Sequence, residues 1–243
     1  MDSRFTPEEI LTRWEAQREI KNIMARMISQ DCMFRRENQG FAKYWSARED
    51  VCLGLNEGYY QGREAVAGFY AAIEAKTRLE SELLQKKFPV RLGEKTEEEI
   101  YGVGGLRYKA MEIPVVEIAG DGQTAKVIYH IHGCNTRLTA GGQVSRWERS
   151  WVACDFVMEE GAWKVWHMLY VFDIDHPSGS KWTDPEPVYE PDPVLAPVED
   201  FVFPAPNVPA VVRERYHAGR PLTPPPEYPL PYETFAETFS YGI

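Results

Sequence analysis

The sequence has little of several things that would narrow its class at once. Of 243 residues, 27 are Lys or Arg against 37 Asp or Glu, a net charge of −10, and no basic stripe is legible. Nucleic-acid binding needs clustered cations that displace counterions, so no nucleic-acid partner is expected. There is no run of about 18 apolar residues and no charged-then-apolar amino-terminal segment, so neither a membrane span nor secretion is indicated, and the cytoplasm is the expected compartment. The four cysteines, Cys32, Cys52, Cys134 and Cys154, lie far apart without C-x-x-C spacing. Reduced, mostly buried thiols fit that pattern better than a disulfide frame or a zinc knuckle. Proline is scarce only at first: three fall before residue 177 and fifteen from Pro177 onward. The chain divides accordingly into a globular part, 1–176, and a proline-rich extension, 177–243.

What is present begins with helix signals. Thr6-Pro7-Glu8-Glu9 sets a capping residue, a first-turn proline and two carboxylates ahead of an apolar series, which predicts a helix to about Gln30. Ile20, Ile23, Met24, Met27 and Ile28 follow helical spacing and Asp31 continues the stripe, so a carboxylate arrives on the inner face; it is either functional or a polar helix stop. A short helix over Phe41 to Ala47 and a strand over Val51 to Leu55 follow. In GYYQGREAVAGFY, Gly62 breaks the strand and Ala65, Val66, Phe69, Tyr70 and Ile73 form a helical stripe. Residues 78–110 carry a charged, helix-like piece. Gly102, Gly104 and Gly105 lack the preceding apolar strand of a nucleotide loop and predict a flexible turn at a lid edge.

From Glu112 the pattern changes to long strands, IPVVEIA, AKVIYHIHGC, RWERSWVACDFVM and WKVWHMLYVFDI, separated by Gly-containing turns. Helices first and an antiparallel meander second is an α+β order. Trp, Tyr and Phe on both faces of such strands call for a curved sheet with helices in its hollow and a second cover on its back, such as another subunit.

On the opening helix, the GYYQGREAVAGFY junction and the AGDGQTAKV and CDFVMEEGAWKVWHM hairpins, the chain resembles the SnoaL-like branch of the nuclear transport factor 2-like superfamily over roughly residues 8–175. The resemblance implies a cone-shaped α+β barrel with an apolar pocket at its open end, and chemistry without metal or organic cofactor. Members include dehydratases, isomerases, cyclases and binding modules, so the fold alone does not fix function. Length, the WERSWVACDFV strand and the proline-rich tail are similar to the diarylpropane γ-formaldehyde lyase group, which acts on lignin-derived aromatic dimers.

A cofactor-free elimination needs a base, an acid for departing water and a group for developing charge. His167, within an apolar strand, is the candidate acid or base, or else a core histidine satisfied by one hydrogen bond. Tyr59 is the candidate hydroxyl donor at a cavity rim, or else a half-buried amphipathic tyrosine. Arg107 is placed to pair with Asp31 or steady an alkoxide, or else forms a surface ion pair. His130 and His132 share a strand face. They would chelate a metal only with further ligands such as Glu148 or His167, so no metal is expected and His132 is taken as a second polar group near the pocket. Met27, Trp45, Phe69, Tyr129, Trp147 and Trp151 are the candidate substrate-binding residues, with Trp14 and Tyr170 as further aromatics.

Ten aromatic residues lie between Trp182 and Tyr241. Disordered linkers are poor in aromatics, so the extension is expected to lie on a folded surface of its own or a neighbouring subunit, in a homo-oligomer, a dimer or trimer. The functional expectation is a cofactor-independent lyase on a small hydroxylated aromatic substrate, releasing water, formaldehyde or both. The alternatives are a dehydratase or isomerase of another aromatic or steroid-like substrate, or a non-catalytic carrier.

Overall fold

The computed structural model describes residues 5–34 and 41–243. Helix α1, Pro7–Cys32, starts in a capping box: the Thr6 hydroxyl accepts from Glu9 N while the Glu9 carboxylate accepts from Thr6 N. Both bonds satisfy donors that a helix start leaves open. A short α2, Phe41–Tyr44, precedes the hairpin β1, Cys52–Leu55, and β2, Gly58–Gln61. Helix α3, Arg63–Lys87, ends on Lys86 and Lys87, cations that favour a helix C-terminus. Two single turns follow, α4 at Pro89–Leu92 and α5 at Glu97–Ile100. The remaining strands are β3, Leu106–Met111, β4, Val115–Ile118, β5, Thr124–Thr139, β6, Gly142–Glu159, β7, Ala162–Pro177, and the two-residue β8, Val208–Pro209.

Together they form one mixed sheet in the order β3-β5-β6-β7-β1-β2-β8, with β4 beside β3 on β5. The meander β5-β6-β7 is antiparallel, and β1 joins β7 in parallel. The α+β class expected from the element order is the one formed. Ile20 and Met24 of α1 and Val66 of α3 pack on the inner face against Val127, Tyr129, Ile131, Val152, Phe156 and Met168.

Two irregularities in β7 decide which side chains face inward. Asp155 pairs with His167 while Phe156 pairs with Val165, so Trp166 is bulged; a second shift lies between Arg149 and Ser150. A one-residue bulge reverses the facing of everything beyond it. Val165 therefore faces the core, whereas His167, two residues on, faces the opposite side with Leu169 and Val171.

The back of the sheet is covered by this chain's own extension. Tyr241 joins a buried cluster of Ile128, Ala153, Leu169 and Val171, with Tyr59, Trp151 and Phe239 against it. Complete burial of such a tyrosine is worth roughly 1.5–3 kcal/mol before ordering entropy is subtracted. Beneath it lies an ionic group: Lys126 Nζ is 2.6 Å from Asp155, which also accepts from His167 Nδ1 and Tyr241 N, both at 2.8 Å. The ammonium lies 4.2 to 5.0 Å from the ring centres of Phe235, Phe239 and Tyr241. Gly242 runs so close that a Cβ would meet the His167 ring at 2.8 Å.

Candidate active site

Between the helices and the inner face lie two contiguous chambers. The apolar one, about 230 Å³, is lined by Met27, Ile28, Trp45, Leu53, Leu55, Phe69, Tyr70, Tyr129, Ile131, Val152, Met168 and Tyr170. The polar one, about 270 Å³, lies toward the glycine turn, between α3 and the ends of β3, β5 and β6, with Thr77, Glu80, Arg107, Asn135 and Glu148 in its wall. They share Asp31, Ile73, Lys109 and Phe172.

The shared wall is ionic. Lys109 Nζ lies 2.9 Å from Asp31, 3.2 Å from the Tyr170 hydroxyl and 3.6 Å from Glu148. Arg107 reaches Asp31 at 3.2 Å and stacks over the Phe34 ring at 4.2 Å. The Tyr170 hydroxyl donates to Glu148 Oε1 at 3.1 Å, and Asn135 Nδ2 donates to Glu148 Oε2 at 2.8 Å. The local sequence explains the cluster. Asp31 sits in the last turn of α1, where the helix dipole disfavours a carboxylate and that turn carries no basic residue. Arg107 and Lys109, alternate residues of β3, supply the missing positive charge. Their strand is drawn against β5 because Gly133 lies opposite Lys109, and a Cβ there would stand 1.8 Å from the Tyr108 carbonyl oxygen.

Burial pushes the Asp31 carboxyl upward, but Lys109 and then Arg107 outweigh it and hold the group below its ordinary 3.8. Its side chain keeps 38 % exposure and lines both chambers. Burial works against the Lys109 ammonium, yet Tyr170, Asp31 and Glu148 together hold it well above the usual lysine value. Burial raises the Tyr170 phenol to about 12 against the opposing pull of Lys109. At neutral pH the wall therefore presents an ionised carboxylate, an ammonium and a protonated phenol side by side.

Of the residues singled out in the sequence, Asp31, Arg107, Met27, Trp45, Phe69 and Tyr129 lie in these walls. The others lie elsewhere. His167 is turned by the Trp166 bulge onto the sheet's back, under the extension. Tyr59 faces the same side, packed near Tyr241. His132 is 55 % exposed on the outer face, 3.5 Å from Glu112, which also accepts from His130 Nδ1 at 3.1 Å. Trp151 is outward too, stacked on His130, and Trp147 is half exposed. Trp14 is on the solvent side of α1. Among the described residues, no group of three or more His, Cys, Asp or Glu side chains is placed to hold a metal.

Lys109 was missed altogether, although it shares the parity of Arg107 two residues before it. In the sequence Glu148 reads only as a conditional metal ligand, and Tyr170 only as one aromatic among several. Asn135 shares the parity of Tyr129 and Ile131, so its facing followed once Tyr129 was placed inward.

No protein-family model matches the sequence, and no curated protein matches it. Solved structures do resemble it. A hexachlorocyclohexane dehydrochlorinase, LinA type 2, is 12 % identical with a TM-score of 0.48, covering 73 % of this chain and 99 % of its own. An NTF2-like protein with a cystatin-like fold from Novosphingobium aromaticivorans is 16 % identical with a TM-score of 0.42, over 71 % and 91 % of the two chains. An NTF2-like superfamily protein from Salmonella enterica serovar Typhimurium is 11 % identical with a TM-score of 0.42, over 70 % and 99 %.

Proposed function

We propose that the chain is a cofactor-independent lyase acting on a hydroxylated aromatic small molecule. The observation that carries this reading is Lys109, which touches both a candidate base, Asp31, and a candidate acid, Tyr170, at the edge of an aromatic-lined apolar chamber. A carrier would need an apolar chamber but no such ionic set inside it, because burying charge is costly.

The ionised Asp31 carboxylate takes a proton either from the carbon next to the one that bears the leaving hydroxyl or from a primary hydroxyl on the carbon beyond it, as in a 1,3-diol. The electrons of the broken C–H bond, or of the C–C bond that releases formaldehyde, form the new C=C bond and expel the hydroxyl. Tyr170, its hydroxyl turned from Glu148 to the leaving group when substrate is bound, gives it the phenolic proton, so water departs. A phenol near 12 is acid enough for this task, since water itself has a pKa of about 15.7. Lys109 stabilises the resulting phenolate, then hands it a proton and recovers one from Asp31, which closes the cycle.

In the narrower form of the proposal, a lignin-type diarylpropane diol yields a stilbene, formaldehyde and water. Incubation with such a diol, followed by stilbene absorbance and formaldehyde trapping, tests it; folded protein giving neither product removes the narrower form. Undiminished turnover in Asp31→Asn or Tyr170→Phe would remove the assigned roles.

A homo-oligomer belongs to the same proposal. Tyr108 and Trp147 face outward in register with Cys134 between them, each at least half exposed, on a part of the sheet whose back would suit a second copy.

A further inference from the structure

A residue in the wall of the polar chamber carries a buried acceptor that no described residue uses. Asn135 is 7 % exposed, and its Nδ2 is committed to Glu148 Oε2 at 2.8 Å. That bond fixes the amide's orientation, because the reverse would set two acceptors against each other. Its Oδ1 is consequently an acceptor, buried and without a partner among the described residues. A buried acceptor left unmatched is costly, and a ligand that supplies a donor recovers that cost.

The charges around it say which donor fits. Lys76 pairs with Glu80 at 3.7 Å, Arg107 with Asp31, Arg137 with Asp175 at 2.7 Å, and Lys109 with Asp31 and Glu148. Each cation of this wall already faces a carboxylate. Some of those carboxylates are shared, Asp31 by Arg107 and Lys109 and Asp175 by Arg137, Arg146 and Arg215, but a ligand carboxylate would meet Asn135 with a second acceptor, whereas a neutral hydroxyl donates to it. Size points the same way. Each chamber by itself is below the about 300 Å³ at which small-molecule pockets begin, and only the two taken together reach that range.

We infer that the polar chamber is a second binding subsite that selects a neutral hydroxyl at the far end of an extended ligand, with Asn135 Oδ1 as the specificity-determining acceptor. The ligand lays an apolar ring in the first chamber, passes the Asp31–Lys109 wall and ends in a hydroxyl against Asn135. This rests on the lyase reading only in taking the two chambers as one substrate site.

The test is equilibrium binding, followed by tryptophan fluorescence, so it needs no turnover. The probes are ω-phenylalkan-1-ols with chains of about three to six carbons, the matching ω-phenylalkanoic acids and the matching alkylbenzenes. One recovered hydrogen bond of about 1.4 kcal/mol is tenfold in affinity. The longer alcohols should bind about tenfold tighter than the hydrocarbons and tighter than the acids, while the shortest, confined to the apolar chamber, show no such advantage. Asn135→Leu should erase the advantage and leave hydrocarbon binding in place. Equal affinity of the three probe types for the wild-type protein, tighter binding of the acids, or an alcohol advantage that survives in Asn135→Leu overturns the inference. The wild-type series decides the matter by itself if that variant does not fold. A clear alcohol preference with no turnover of any hydroxylated aromatic would sink the lyase reading and leave the subsite standing; turnover without the preference would do the reverse.

Discussion

Replacing Asp155 by Asn should cost about 3–5 kcal/mol, the usual penalty for breaking a buried ion pair from one side. Lys126 and Asp155 are both fully buried, so solvent screening gives no relief. The substitution keeps the shape but removes the counter-charge and turns one accepting oxygen into an amide donor, stranding an ammonium whose other neighbours are three aromatic rings. The lysine can escape by losing its proton. From a pKa of about 10.4 that costs roughly 4.6 kcal/mol at pH 7, which caps the penalty near the top of the range. Burial already holds Lys126 below its ordinary value, with Asp155 opposing it. The unfolded chain therefore binds more protons between the folded pKa and 10.5, and stability rises with pH through that window. Without Asp155 the window widens downward, so the penalty should shrink by up to about 2.7 kcal/mol between pH 7 and pH 9. Adding Lys126→Met should return most of the loss, because a neutral thioether suits the aromatic cage. Urea unfolding followed by tryptophan fluorescence at both pH values measures all of this. A single variant within 1 kcal/mol of wild type, or a double variant no more stable than the single, would refute the argument that the extension is clamped by this ion pair.

Four further outcomes are expected. Tyr170→Phe should lower kcat by about 10²–10⁴-fold with an unchanged melting temperature, as the loss of an acid does. The kcat/KM profile should be flat from about pH 5 to pH 9, because Asp31 is held below 3.8 and Tyr170 is raised to about 12; a limb near 6.5 would return a histidine to the mechanism. Deleting residues 227–243 should uncover Cys52, whose thiol burial holds near 12, and speed its labelling by a disulfide reagent by at least about tenfold; unchanged labelling would show that the extension does not shield the sheet. Charging the outer patch with Tyr108→Lys and Trp147→Lys should shift sedimentation toward the monomer while binding of aromatic ligands persists.

Much of this was legible in the sequence, and the part that was not has a definite cause. The α+β order, the α1 capping box and the arrival of Asp31 at the inner end of that helix all follow from local signals whose periods hold over many residues. The pairing of Arg107 with Asp31 was also within reach, since a carboxylate at a helix C-terminus needs a cation from somewhere. His167 was not. Its strand is apolar at both parities because helices cover one face and the extension the other, so alternation carries no directional signal. The bulge at Trp166 then defeats even a correct parity, placing Val165 inward and His167 outward. No local rule marks such a bulge when both faces are dry.

The same fact bears on how the two ionic groups divide their work. Each is built around a buried lysine with a carboxylate on either strand side or helix end, yet they lie on opposite faces of one sheet. On the back, Asp155 is saturated by Lys126, His167, Ser240 and the Tyr241 amide, and the extension seals it from solvent. Inside, Asp31 is only partly covered and lines both chambers, and Tyr170 beside Lys109 lines the apolar one. A saturated, sealed carboxylate has no lone pair to offer a substrate; a partly open one beside an ammonium does. That difference in access, more than residue type, is the ground on which we propose the chemistry for Asp31, Lys109 and Tyr170 rather than for His167, which lies under the chain's end.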